Sequence, residues 1–112
     1  MSIKTSTGNE GIREQTDNKL FVGLIIRRNV RPQSVTILTS ATAIPTTALT
    51  YRKTLMILNI STNVVYIGDS GVTTSNGFPL YPRAQISISI EDDIILYGIS
   101  TGSSEIRILE GA

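Results

Sequence analysis

The sequence contains no cysteine, no histidine and no tryptophan among its 112 residues. Without cysteine there is no disulfide framework and no thiolate chemistry, which is typical of proteins made in a reducing cytosol. Without cysteine and histidine, zinc sites of the usual type are excluded, and so are serine nucleophiles activated by a histidine base. These absences remove most catalytic designs, and we expect a protein that is not an enzyme and needs no cofactor.

Aromatic residues make up only 5% of the chain, and the charged residues nearly cancel to a net charge of +1. This charge predicts neither nucleic-acid nor membrane binding. The longest apolar run, residues 20–26, is too short to cross a bilayer, and the N-terminal residues lack the apolar stretch of a secretory signal peptide. Isoleucine, valine and threonine are abundant, and β-branched side chains favour strands.

Residues 1–18 are polar, and we expect them to form a flexible N-terminal arm that orders only on assembly. From residue 19 to residue 112, short apolar or alternating segments are separated by turn residues roughly every eight to twelve positions, and no helical period is sustained. We therefore predict a single all-β domain, an antiparallel β-sandwich or jelly-roll-like barrel of about seven or eight strands. The predicted strands cover residues 20–26, 34–39, 51–60, 64–67, 86–90, 94–99 and 105–110, with residues 42–49 as an edge strand or extended connection.

Two segments between the strands carry proline. The pair Arg31-Pro32 is expected to break the backbone, because proline removes a hydrogen-bond donor and restricts the residue before it. Residues 72–81 are expected to form a long irregular loop in which the Asn76-Gly77 turn permits positive φ. Phe78 and Tyr81 lie in this loop, and we interpret them as anchors that pack on the core, with a sugar-stacking role as the alternative.

The most tempting catalytic motif is Gly68-Asp69-Ser70-Gly71, which is similar to the nucleophile loops of some serine hydrolases. A serine nucleophile needs a base, and the chain offers neither a histidine nor a lysine in a motif context. We therefore interpret the segment as a turn in which Asp69 and Ser70 bond to nearby backbone.

The only carboxylate cluster is Glu91-Asp92-Asp93. Glycosidases need two carboxylates facing each other across the substrate, and calcium sites distribute oxygen ligands through a loop. The simpler interpretation is a solvated turn that discourages edge pairing, with an ion site as the alternative.

Arg27, Arg28 and Arg31 form the densest basic group. Because no aromatic residues are interleaved and the total charge is small, we expect an interaction role without nucleic acid.

Four segments of the chain form one recognisable pattern: "ILNISTNVVYIG" at residues 57–68, "VTTSNGFPL" at residues 72–80, "LYGI" at residues 96–99 and "IRILE" at residues 106–110. Through these segments residues 56–109 resemble a module of small structural proteins of tailed bacteriophages. The chain departs from the pattern at Tyr81-Pro82-Arg83, where the module has a glycine-rich acidic turn.

This resemblance implies a virion protein made in the host bacterial cytoplasm, of the capsid decoration, head-fibre or tail-adaptor type. It implies assembly with copies of itself and with major capsid or neck and tail subunits, and no catalytic residue. The alternative is a small receptor- or glycan-binding module of a phage fibre.

Overall fold

The computed structural model describes residues 29–112. These residues contain no helix and form eight strands in two antiparallel four-stranded sheets, which confirms the predicted all-β sandwich. The predicted arm over residues 1–18 and the predicted strand over residues 20–26 lie outside the described residues. The strands are β1 (Val30–Ile37), β2 (Thr42–Ile44), β3 (Thr54–Asn59), β4 (Val65–Gly68), β5 (Phe78–Leu80), β6 (Gln85–Ser89), β7 (Leu96–Ser100) and β8 (Ser104–Gly111).

The strand order is that of a jelly roll. The first sheet has the order β1-β8-β3-β6 and the second sheet has the order β2-β7-β4-β5. The pairs are nested, because β4 pairs with β5, β3 with β6, β2 with β7 and β1 with β8. Only β4 and β5 are sequential neighbours that pair. Residues 51–60 and 64–67 therefore do not form a hairpin, since β4 crosses to the second sheet.

The core lies between the two sheets and consists of aliphatic side chains. Residues 86–90 alternate strictly, so Ile86, Ile88 and Ile90 share one face, and all three pack against the core while Ser87 and Ser89 are exposed. The central strand β3 is apolar on both faces over residues 55–58, with Leu55 and Ile57 in the core and Met56 and Leu58 half-buried on the outer face. Ile57 is paired to Ile108 on one side and to Ile86 on the other. The buried core residues are Ile37, Ile44, Leu55, Ile57, Val65, Ile67, Leu80, Ile106 and Ile108.

Pro32 does not break the chain, and β1 runs through it. Asn29 and Ala112 exchange both backbone hydrogen bonds, at 3.1 and 2.8 Å. Such pairs alternate along an antiparallel ladder with pairs that exchange none, so Pro32 opposite Leu109 makes no bond to β8. Because β1 is the outermost strand of the first sheet, the missing N–H faces the open edge. The expected break was wrong because an edge strand tolerates proline at this position.

The predicted loop over residues 72–81 is only partly irregular, because β5 forms within it and pairs with β4. Gly77 does not have positive φ, so the Asn76-Gly77 turn does not use the freedom that it permits. A Cβ atom at Gly77 would lie 2.6 Å from Tyr66 Cβ and 2.8 Å from Val72 Cγ2. Gly77 therefore lets the loop approach β4 closely, which is a packing requirement that local turn chemistry does not reveal.

Candidate functional site

One face of the second sheet carries no charged residue. Ile44, Val65 and Gly98 are buried on the core side of this sheet, so the residues that alternate with them in each strand point outward. Every outward residue is half-buried and none can ionise near neutral pH. We call these residues the uncharged face: Ala43, Tyr66, Gly68, Pro79, Tyr97 and Ile99.

The strand register makes the uncharged face continuous. Tyr66 lies between Pro79 on β5 and Ile99 on β7, and Tyr97 lies between Ala43 on β2 and Gly68 on β4. Residues paired directly across strands have Cβ atoms about 5 Å apart, so these side chains form one surface across all four strands.

The outer face of the first sheet has a different character. Its outward residues include Arg107 and Glu105, which form an exposed ion pair at 3.1 Å, and a series of hydroxyl and amide side chains. The polar members of this face are Ser34, Thr36, Gln85, Ser87, Ser89, Glu105 and Arg107. The outer face of the first sheet therefore mixes a charged pair and polar side chains with apolar residues, whereas the outer face of the second sheet carries no charge.

Phe78 and Tyr81 are each 60% exposed. The interpretation of these residues as anchors packed on the core is therefore wrong. Leu80 lies between them and is buried, so Leu80 anchors the segment instead. Because β5 is the outermost strand of the second sheet and Tyr81 directly follows it, both accessible aromatic rings lie at the edge of this sheet.

Arg31 is half-buried and forms an ion pair with the buried carboxylate of Glu110. Its Nη2 donates to Glu110 Oε1 at 2.6 Å and to the Thr47 carbonyl oxygen at 2.6 Å. The other two arginines of the predicted basic group, Arg27 and Arg28, lie outside the described residues. The described structure therefore gives Arg31 a role in joining β1 to the loop after β2.

Glu110 is the centre of a buried polar cluster. The residue is fully buried, and its Oε2 accepts from Arg52 Nη1 at 3.0 Å and from the Leu49 backbone N–H at 3.1 Å. Arg52 also donates from Nη2 to the carbonyl oxygens of Glu91 at 3.0 Å and Ile94 at 2.5 Å. This cluster ties β8 to β1 and to two loops.

Sequence reasoning missed this cluster, although a signal was present. Ile106, Ile108 and Glu110 alternate along β8, so the parity that buries the two isoleucines also turns the carboxylate inward. A buried carboxylate requires a cationic partner, which Arg52 supplies from a position 58 residues away in the sequence.

The two carboxylate-containing motifs are turns. Asp69 Oδ1 accepts from the Gly71 N–H at 2.9 Å, as expected for a turn that bonds to its own backbone. Asp92 Oδ2 accepts from the Tyr51 N–H at 2.7 Å. Between residues 29 and 112 no group of three or more carboxylates or other metal-ligating residues is placed to hold an ion.

A shallow depression of about 210 Å³ lies on the outer face of the first sheet, floored by Met56, Leu58 and Leu109. It is smaller than ordinary ligand pockets, which occupy roughly 300–1,000 Å³. Its single charged residue is Arg107, whose guanidinium is engaged by Glu105. The depression therefore offers no converging polar groups to orient a small ligand.

The carboxyl group of Glu105 is stabilised in its ionised form. A hydrogen bond from the Ser34 hydroxyl lowers the pKa of Glu105, and the Arg107 guanidinium lowers it further. Because the folded-state pKa lies below the unfolded value, this ionisation stabilises the fold above about pH 4.3. The contribution is lost as the pH falls from there through the folded pKa.

We expect Ser34→Ala to raise the pKa of Glu105 toward that of an unperturbed glutamate. Carboxyl chemical shifts followed by NMR through an acid titration measure this change directly. Thr36→Ala is the matched control, since Thr36 lies opposite Glu105 in the register and does not bond to its carboxylate. An unchanged Glu105 pKa in Ser34→Ala would contradict the assignment of the hydroxyl as the main cause.

Comparisons with known proteins leave the family open. No protein-family model matches the chain, and no curated protein matches it in sequence. Among residues 29–112, no helix is long and apolar enough to cross a membrane.

Proposed function

We propose that the chain is a non-enzymatic structural protein of a tailed-phage virion, which assembles with itself and with capsid, neck or tail subunits. The observation that carries this proposal is the uncharged face of the second sheet. The resemblance over residues 56–109 points in the same direction. The jelly-roll strand order adds support by analogy, because viral capsid domains use it, although fold alone does not specify function.

The uncharged face suits assembly for a physical reason. Burial of apolar surface contributes about 25 cal/mol per Å², and charged groups reduce that gain because they must be desolvated or paired. On this face Tyr66, Tyr97 and Ile99 supply area without any such charge. Tyrosine is also enriched at protein interfaces, since its ring buries area while its hydroxyl finds a polar partner.

We expect Ile99→Lys to weaken self-association by about a hundredfold or more, because it places a charge in the middle of a surface that assembly would bury. Sedimentation velocity over a concentration series measures this change. Quantitative mass spectrometry of purified phage particles measures the accompanying loss of incorporation into the virion.

Thr36→Lys is the matched control, since it adds the same charge to the exposed outer face of the first sheet. It should leave self-association and incorporation close to those of the unmodified chain. A protein that stays monomeric at all concentrations and is absent from particles would overturn the proposal.

A second candidate function, glycan binding by a phage fibre module, is favoured by the exposure of Phe78 and Tyr81. Two accessible aromatic rings can stack on the apolar faces of sugars, and lectin domains also use jelly rolls. Binding on a glycan array that disappears in Phe78→Ala and in Tyr81→Ala would support it. An array without signal at high protein concentration would remove this candidate.

A further inference from the structure

Asn76 is the only asparagine in the sequence that precedes a glycine. Such a pair is chemically labile, because the backbone nitrogen of glycine approaches the asparagine amide carbon without obstruction from a side chain. Asn76 is exposed and lies in the turn that leads from Val72 to β5, so water and hydroxide can reach it. The pair therefore has both the chemistry and the accessibility that spontaneous deamidation requires.

Deamidation proceeds in two steps. Hydroxide removes the proton from the Gly77 backbone nitrogen, and this nitrogen attacks Asn76 Cγ. The new N–Cγ bond forms while the Cγ–Nδ2 bond breaks, and the released nitrogen takes a proton from water and leaves as ammonia. Water then opens the resulting succinimide ring at either carbonyl, which yields aspartate or isoaspartate. In isoaspartate the main chain runs through the former side chain and is one methylene longer.

The folded turn opposes the first step by holding both reacting groups in hydrogen bonds. The Gly77 N–H donates to the Thr73 carbonyl oxygen at 3.0 Å, and Asn76 Oδ1 accepts from the Thr73 N–H at 2.8 Å. Both distances are those of ordinary hydrogen bonds, and the first bond must break before the Gly77 proton can be removed. The Thr73 hydroxyl also accepts from the N–H groups of Ser75 and Asn76, each at 3.2 Å.

We propose that Asn76-Gly77 is a latent deamidation site, which Thr73 protects in the folded protein and which reacts when the turn over residues 73–77 opens. This site is independent of the proposed assembly role, because its chemistry depends on the contacts of one turn. Removal of the Gly77 amide proton is also the chemical step of hydrogen exchange. Deamidation and exchange of this amide therefore require the same local opening.

The isoaspartate product does not fit the packing of this turn. A Cβ atom at Gly77 would lie 2.6 Å from Tyr66 Cβ and 2.8 Å from Val72 Cγ2, and Phe78 directly after it begins β5. Gly77 therefore has little room to move when the main chain before it lengthens by one methylene. We expect isoaspartate to break the bond from Gly77 to Thr73 and to loosen β5. Aspartate keeps the normal main chain and an oxygen that accepts from Thr73, so it should leave β5 in place.

The first test compares the folded chain with the chain unfolded in guanidinium chloride, both in mildly alkaline buffer. Mass spectrometry of tryptic peptides follows the conversion of each asparagine with time. We expect Asn76 to react before every other asparagine in the unfolded chain, and at least about tenfold more slowly in the folded chain. Equal rates at Asn76 in the two states would overturn the protection. Earlier conversion of another asparagine in the unfolded chain would overturn the assignment of the site.

The second test removes the Thr73 hydroxyl. We expect Thr73→Ala to deamidate about tenfold faster than the unmodified chain when folded, since the loss of two hydrogen bonds favours opening of the turn. Thr74→Ala is the matched control, because Thr74 is also exposed and its hydroxyl bonds to none of the residues 29–112. Circular dichroism before incubation verifies that both variants fold. Equal rates for the two variants would contradict protection by Thr73.

The third test needs only the unmodified chain. Hydrogen exchange followed by NMR gives the factor by which folding slows exchange of the Gly77 amide, and we expect folding to slow deamidation by the same factor to within about threefold. Deamidation of the folded chain that is much faster than this factor allows would overturn the shared opening.

The two products provide the last comparison. Exchange in β5 should be faster in the isolated isoaspartate form than in the unmodified chain, whereas Asn76→Asp should leave it unchanged. Unchanged exchange in the isoaspartate form would contradict the conflict between the longer main chain and the close packing of Gly77.

Discussion

Glu110→Gln should lower the free energy of unfolding by about 3–5 kcal/mol, the usual effect of removing one partner from a buried ion pair. Arg52 is 1% exposed and would be left without its carboxylate inside the protein. Its Nε already has no hydrogen-bond partner, so few other groups at the site can stabilise the buried guanidinium once the carboxylate is removed. Urea unfolding followed by far-ultraviolet circular dichroism measures the loss. In a domain of this size it corresponds to a fall in Tm of more than about 10 °C.

Glu105→Gln is the matched control for this prediction. It makes the same chemical change on the same strand, but Glu105 is exposed and its ion pair with Arg107 lies in solvent. Exposed pairs contribute about 0–1 kcal/mol, so this variant should unfold close to the unmodified protein. Equal effects of the two substitutions would show that burial of Glu110 does not set the strength of its interactions.

Asn59→Ala should destabilise the protein by about 3 kcal/mol. Asn59 is fully buried, and its Nδ2 donates to the carbonyl oxygens of Asn63 at 2.8 Å and Leu80 at 2.9 Å. Its Oδ1 accepts from the N–H and the hydroxyl of Ser61. Each buried group left without a partner costs about 1–3 kcal/mol. Urea unfolding again measures the total.

The location of Asn59 allows a second measurement of the same substitution, by amide hydrogen exchange. Asn59 ends β3 in the first sheet, whereas Leu80 lies on β5 in the second, so this side chain bridges the two layers at one end of the sandwich. We expect faster amide hydrogen exchange in β5 and in the turn over residues 60–64, with β8 little changed. Asn76→Ala is the control, because Asn76 bonds only within an exposed loop. Uniform exchange across both sheets would contradict a local bridging role.

Several elements of the fold were predictable because their causes are local. The isoleucine–serine alternation of β6 and the alternation of β8 each identify a strand and the face that it buries. Residues 42–49 were predicted as an edge strand or an extended connection, and their first three residues form the edge strand β2. The Gly68–Gly71 turn followed from residue chemistry and was confirmed by the Asp69 bond.

The predictions that were wrong, for Pro32 and for Phe78, share a different cause. Whether Pro32 breaks a strand depends on which side of β1 faces β8, and that strand lies more than seventy residues further along the chain. Whether Phe78 packs inward depends on β5 being the outermost strand of its sheet. No local sequence pattern predicts either of these two properties.

The candidate site also has features that the local sequence predicts and features that only strand pairing determines. The sequence places uncharged residues at alternate positions of four short segments, but nothing local indicates that these segments share a sheet. The uncharged face exists because β2, β7, β4 and β5 lie side by side. Glu110 is a case between these two. The alternation along β8 shows in the sequence that its side chain faces inward, but nothing in the sequence identifies Arg31 and Arg52 as its partners.

By itself, the sequence determined the strand-rich character of the chain, the inward face of its clearest strands and the lack of histidine and cysteine chemistry. These properties follow from side-chain chemistry and from the two-residue period of a strand. The tertiary structure decided which strands pair, which edges stay open and which outer face is free of charge. Those properties depend on nested pairing between distant segments such as β1 and β8, which is selected by burial of the whole core and not by any one segment.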